Sequence, residues 1–235
     1  MVLRKEYAAT RGACAALAAA LCLATVTGES MADSKRIVYI EASTVNLWKL
    51  DSFPERTRTG RYRFQAMLEY DFDKSKMVNQ VLADGEPRPD LVIVQECSVY
   101  FPGDLQAYQR MYRRWIDDLE TRGLRPVIAT VVPPSTSRGR WQDAKDLVKE
   151  RLLRRPSQLE QVTAFNAWLR NLGAERSIPV FDLEQVVRIS TEDRHMRAEY
   201  NGGDGIHLAP IAYQRLDGEL LQFLDRLDWR PSASR

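Results

Sequence analysis

Histidine is scarce in this chain, with two in 235 residues, His195 and His207. Imidazole is the side chain whose ordinary pKa allows proton transfer near neutrality, so a neutral-pH base has few places to sit. Cysteine is nearly as rare: Cys14 and Cys22 lie in an amino-terminal apolar run, and Cys97 stands alone beyond it. Without that run no intramolecular disulfide can form, and stability has to come from a packed core. Net charge is only +2, with 34 basic against 32 acidic residues. That is too small to argue for the dominant basic stripe of a nucleic-acid binder, and no nucleic acid is expected as a partner. Internal repeats and low-complexity linkers are absent. The most extended apolar run, "GACAALAAALCLATV", is too short and alanine-rich for a confident membrane span.

That run has a different use. Arg4, Lys5 and Arg11 precede it and the small residues Ser30 and Ala32 follow, the layout of a signal peptide cleaved before Asp33. Residues 1–32 are therefore read as a leader or an uncleaved anchor, 33–229 as one domain, and 230–235 as a frayed tail. Bulky Leu21 before Cys22 argues against lipoprotein processing. The expected location is periplasmic or secreted; translation from Met31 would instead make the protein cytoplasmic.

The rest of the chain, 44% hydrophobic and 28% charged overall, has the composition of an ordinary globular protein. Four short runs read as strands: "RIVYIEAS", "DLVIVQE", "RPVIATVV" and "IPVFDL". The second has the continuous apolar character of a strand buried on both faces of a parallel sheet. Helical spacing joins Leu105, Tyr108, Met111, Tyr112, Trp115 and Leu119, with Gly123 as the stop. Ser157 and Glu160 form a capping box for a second helix ending near Gly173, and a last helix starts about Pro210. "RYRFQAMLEYDF" reads equally as a strand or a helix start. Alternation of strands and helices predicts a parallel α/β sheet covered on both faces.

In such sheets the site lies beyond the carboxyl ends of the strands. That rule selects Glu41 to Thr44, Glu96 to Tyr100, Pro133 to Trp141, and the glycine-rich stretch "NGGDGIHLAP" with Asp204 and His207. A serine hydroxyl needs a base to take its proton and a third group to orient that base. Ser43, His207 and Asp204 fill those roles; a helix N-cap is the other reading of Ser43. Glu41 and Glu96 close neighbouring strands. They read either as solvent-facing strand ends or as an acid pair near His207, completed by Asp204 into a hard-cation site. Cys97 reads as a small core residue and His195 as an exposed loop residue. Arg138, Arg140 and Trp141 sit in a loop able to cover the site.

The serine after the first strand, the buried "PDLVIVQ" strand and the closing "DGIHLAPIAYQRL" resemble the SGNH (GDSL-type) hydrolase superfamily, over Arg36 to Leu227. The resemblance implies a flavodoxin-like three-layer α/β/α sandwich with a five-stranded parallel sheet. It implies Ser43 as nucleophile, His207 as base, Asp204 as orienter, and hydrolysis or transfer of an O-acyl group with neither metal nor organic cofactor. The implied partner is a small-molecule or polysaccharide acyl ester. The chain departs from the family where Gly-Asp-Ser is replaced by Glu41-Ala42-Ser43, and Gly-x-Asn-Asp by Cys97-Ser98-Val99-Tyr100, which removes an oxyanion-binding asparagine. Gly60 is the candidate for the family's second-block glycine, with "EYDFDKSK" as the competing location. Ser98 and the 96–100 backbone are candidate substitute donors. An inactive SGNH-like binding module is the alternative from another functional class.

Overall fold

The computed structural model describes residues 34–85, 87–136 and 156–229. The proposed leader, the tail, and Arg138, Arg140 and Trp141 lie outside the described residues. Five parallel strands form one sheet in the order β2-β1-β3-β4-β5. They are β1 (Lys35–Glu41), β2 (Tyr62–Leu68), β3 (Leu91–Val94), β4 (Pro126–Ala129) and β5 (Val180–Phe181). The helices are α1 (Ser43–Trp48), α2 (Phe53–Thr57), α3 (Ser75–Ala83), α4 (Leu105–Thr121), α5 (Gln158–Arg176), α6 (Leu183–Val187) and α7 (Pro210–Arg226). The expected α/β/α sandwich is the observed one.

Successive residues of a strand face opposite sides of its sheet, and β1 therefore feeds two cores. Ile37 and Tyr39 pack with Val45 and Trp48 of α1, Leu183 of α6 and Leu216 of α7. Val38 and Ile40 pack with Val78 of α3, Trp115 of α4 and Phe165 of α5. The stretch of uncertain sequence pattern is a strand: β2 lies at the sheet edge, where Arg63, Gln65 and Ala66 are exposed, so its apolar period is broken.

Helix α4 is capped by the Asp104 side chain and ends before Gly123, whose φ of 72° lies in the left-handed region. The capping box at Ser157 and Glu160 is present at the start of α5. Gly173 is not a stop, since α5 continues to Arg176. Its hydrogen is needed for close packing: a Cβ there would lie 2.3 Å from Val180 Cγ2 and 3.0 Å from the Ile178 carbonyl oxygen.

Gly173→Ala is expected to destabilise the fold by about 1–3 kcal/mol through overpacking. Gly218→Ala, in α7 with nothing within 4 Å of the added carbon, is expected to stabilise it by about 0.5–1 kcal/mol. Thermal denaturation of the two variants should therefore shift in opposite directions.

Candidate active site

The chain leaves β1 at Glu41 and enters α1 at Ser43. Ser43 is not an N-cap: Ala42 holds that position, with no side-chain cap bond. The Ser43 hydroxyl lies 3.7 Å from Cys97 Sγ, just past β3. Cys97 is buried, as its sequence reading required, but it also touches the candidate nucleophile. Burial, with help from the Glu41 charge, pushes its thiol up to about 11, so it stays protonated at neutral pH.

Asp204 and His207 occupy a loop that holds its own shape. Asn201 Oδ1 accepts from the N–H groups of Gly203 at 3.0 Å and Gly205 at 2.9 Å. Asp204 Oδ1 accepts from Ile206 N at 2.9 Å and His207 N at 2.8 Å. The N–H of Gly202 donates to the His207 carbonyl at 2.7 Å. Gly203 and Gly205 take φ of 110° and 79°, values that suit residues without a Cβ.

Asp204 Oδ2 then meets His207 Nδ1 at 2.5 Å. With the Nδ1 proton directed at the carboxylate, Nε2 keeps its lone pair for an incoming proton. Partial burial works against the charged carboxylate, yet the N–H groups of His207 and Ile206 and the imidazole hold Asp204 down at about 2. It is therefore ionised throughout the neutral range.

Two contacts set this loop against the sheet edge. Ser135, beyond β4, donates its N–H to the Gly205 carbonyl at 2.9 Å. Asp217 of α7, the helix that follows His207, accepts from Trp48 Nε1 of α1 at 2.8 Å and from Arg56 Nε at 2.6 Å. The helix that starts with Ser43 is thus fastened to the helix that His207 leads into. Among the described residues no hydrogen bond joins Ser43 to His207.

Glu41 and Glu96 do not face solvent; both are fully buried. Glu41 Oε2 accepts from Val45 N at 2.9 Å. Glu96 Oε2 lies 3.4 Å from the ammonium of Lys74, itself fully buried, which stands where a cation would sit beside Glu96. The hard-cation arrangement with Asp204 is not formed: among the described residues no group of three or more His, Cys, Asp or Glu side chains is placed to hold a metal ion. Burial lifts the Glu41 carboxyl above its ordinary range despite the Val45 N–H, and lifts Glu96 well above it despite Lys74.

Ser98 is buried, and its carbonyl accepts from Gln158 Nε2. Tyr100 is half-buried, its ring centroid 4.9 Å from Lys74 Nζ. Val99 is exposed. Gly60 does not join the site. It precedes β2, whose first residue Tyr62 pairs with Lys35 at the start of β1, so it lies at the opposite sheet edge. The stretch 69–76 follows β2 and occupies the edge shared with Ser43. His195 is half-buried, its Nδ1 held by Asp193 at 2.8 Å.

No family model matches the sequence, and no curated protein does. Solved structures do match. A GDSL-like lipase from Bacteroides thetaiotaomicron is similar with a TM-score of 0.60 at 14% identity, over 82% of this chain and 89% of that one. A protein described as an SGNH hydrolase from Slackia heliotrinireducens gives 0.56 at 17% identity, over 81% and 99%. The fold is that of the SGNH hydrolases. A catalytic mutant of an acetylxylan esterase from Geobacillus stearothermophilus gives 0.55 at 10% identity, over 86% and 98%. Against the SGNH pattern, the residues that sequence reading missed are Lys74 and Asp217. The stretch "DFDKSK" carries no mark of a buried lysine, and Asp217 reads as one polar position on an amphipathic helix.

An acid whose pKa is raised by folding binds its proton more tightly in the folded state. Its stabilising contribution is full below the unfolded value and declines as pH rises toward the folded one. Stability should thus fall with rising pH above about the ordinary glutamate pKa of 4.3. Glu96→Gln should flatten that slope in thermal unfolding followed from pH 5 to 9; an unchanged slope would assign it to other groups.

Proposed function

We propose that this protein is an exported serine ester hydrolase that removes O-acyl groups, with acetyl on a carbohydrate as the favoured substrate. The observation that carries the reading is the Asp204–His207 pair, pre-oriented in its loop at the sheet edge where β1 delivers Ser43. The SGNH fold supports ester hydrolysis as the reaction class. The acetylxylan esterase among the similar structures supports the acetyl-carbohydrate part. Export rests on the basic residues and apolar run before Asp33.

In the proposed reaction the Ser43 hydroxyl turns from Cys97 toward His207 and attacks the ester carbonyl carbon. His207 Nε2 takes the serine proton, and Asp204 stabilises the resulting imidazolium. Collapse of the tetrahedral intermediate breaks the carbonyl carbon to alcohol oxygen bond, and His207 returns the proton to the leaving alkoxide. Water then attacks the acyl-serine by the same route, releasing the acid and restoring Ser43. A sugar hydroxyl in place of that water gives acyl transfer.

The oxyanion requires donors. The Ser43 N–H belongs to the first turn of α1, where helical N–H groups have no acceptor within the helix. The backbone of the Cys97–Tyr100 turn is the second source. Val99 supplies no side-chain donor, and loss of one such donor costs about 10²–10³-fold in turnover. Slow turnover is therefore expected. The second reading, an acyl-sugar-binding module without turnover, is favoured by the Ser43 hydroxyl resting on Cys97 rather than on His207.

Expression of the full chain should yield protein outside the cytoplasm that begins at Asp33 and hydrolyses short-chain aryl acetates. Ser43→Ala and His207→Ala should each lower kcat by at least ~10³-fold. Activity that survives both substitutions would refute the serine mechanism, and activity absent from the wild type would favour the binding module. A mature protein retaining residues 1–32 in the cytoplasm would remove the export part.

A further inference from the structure

The serine mechanism leaves unexplained the charge buried next to the nucleophile's turn. Glu41, Lys74 and Glu96 are all fully enclosed. They come from three segments: Glu41 ends β1, Glu96 follows β3, and Lys74 caps α3 after the loop leaving β2. Because the sheet order places β2, β1 and β3 side by side, these are the exits of three adjacent strands.

The ammonium joins two of the exits directly, and the first exit meets the third through Ser43 and Cys97. The Lys74 ammonium donates to the carbonyls of Glu69, at 2.9 Å, and of Asp71, which belong to the β2 exit. It also lies 3.4 Å from Glu96 Oε2 and 4.9 Å from the centre of the Tyr100 ring, which belong to the β3 exit. Glu41 Oε2 holds the N–H of Val45, the third residue of α1. Glu96 is followed in the chain by Cys97, whose sulfur touches Ser43.

Stability alone is a poor reason for this arrangement. A buried ion pair is often no better than an apolar replacement of equal volume, because desolvation offsets the attraction. The cluster is also unbalanced, with two carboxyls to one ammonium, and Glu41 Oε1 and both Glu96 oxygens accept no hydrogen bond among the described residues. Charged groups do offer direction: the ammonium donates to two carbonyls of the 69–74 loop while it stays within ion-pair range of the Glu96 carboxylate.

We propose that Glu41, Lys74 and Glu96 are positioning residues that lock the Ser43 turn, the 69–74 loop and the Cys97–Tyr100 turn into one register, aiming the backbone N–H groups of the first and third at the reacting carbonyl. This assignment rests on the serine hydrolase reading. None of the three touches substrate; they act through Ser43 and the 97–100 turn. Val99 offers no side-chain donor where the SGNH pattern has asparagine, so turnover depends on how the 97–100 turn is placed. A misplacement of about 1 Å can cost about 10²-fold in rate.

The test uses the full chain with Lys74→Met and Lys74→Met/Glu96→Gln, measured beside wild type and Ser43→Ala. The single variant leaves Glu96 buried without its cation and should lose much of its thermal stability. The double variant removes that charge and should regain most of the Tm. Its kcat on an aryl acetate should stay down by roughly 10²-fold with KM little changed. Hydrogen–deuterium exchange should show faster exchange at the α1 and 97–101 amides than in wild type. Recovery of kcat together with Tm, or exchange like that of wild type in both segments, overturns the assignment. A double variant that does not fold assigns the cluster to the fold alone and overturns it too. If Ser43→Ala hydrolyses as well as wild type, the serine reading has failed, and the exchange data alone decide whether the cluster holds the turns.

Discussion

Because all five strands run parallel, every connection has to cross a face of the sheet, and the strand exits collect at one edge. That constraint brings together residues far apart in sequence: Ser43 from the first exit, Cys97 from the third, and a loop before α7 that carries Asp204 and His207. It leaves a problem of precision, since short exit turns have no ladder of their own to hold them. The chain solves it differently on the two sides of the site.

On the histidine side the solution is local. Asn201 and Asp204 satisfy four backbone N–H groups of their own loop, and the imidazole is set by a residue three positions away. On the serine side the solution is long-range. The buried Lys74–Glu96 ion pair joins the exits of β2 and β3, Glu41 holds the first turn of α1, and α1 is tied to α7 through Asp217. The first device survives in a short stretch of sequence, while the second exists only once the sheet has formed. Burial raises the two glutamates while its own loop holds Asp204 low, so carboxyls at one edge are shifted in opposite directions.

Legibility from sequence follows the same division. β1, β3 and β4 were readable because strands covered on both faces are continuously apolar, and α4 and α5 because of their caps and spacing. β2 was ambiguous because an edge strand mixes exposed and buried residues. The short helix α1 was not seen, since six residues give little periodicity. Asp204 and His207 could be singled out as a pair, their contact being local. The burial of Glu41 and Glu96 could not be read, because the partners that meet them, Val45 N–H and a lysine from another strand exit, are fixed only by the folded sheet. Gly60 was misplaced because, with β2 unassigned, the carboxyl edge of that strand could not be told from its amino edge.

The most direct measurement is covalent capture of the nucleophile. The full chain is treated with a small reactive organophosphonate and the modified residue is located by peptide mass spectrometry, in wild type and in His207→Ala. A single adduct on the Ser43 hydroxyl is expected, forming at least ~10²-fold more slowly without the His207 base. An adduct on another residue, or labelling of Ser43 at the same rate in His207→Ala, would contradict the serine mechanism.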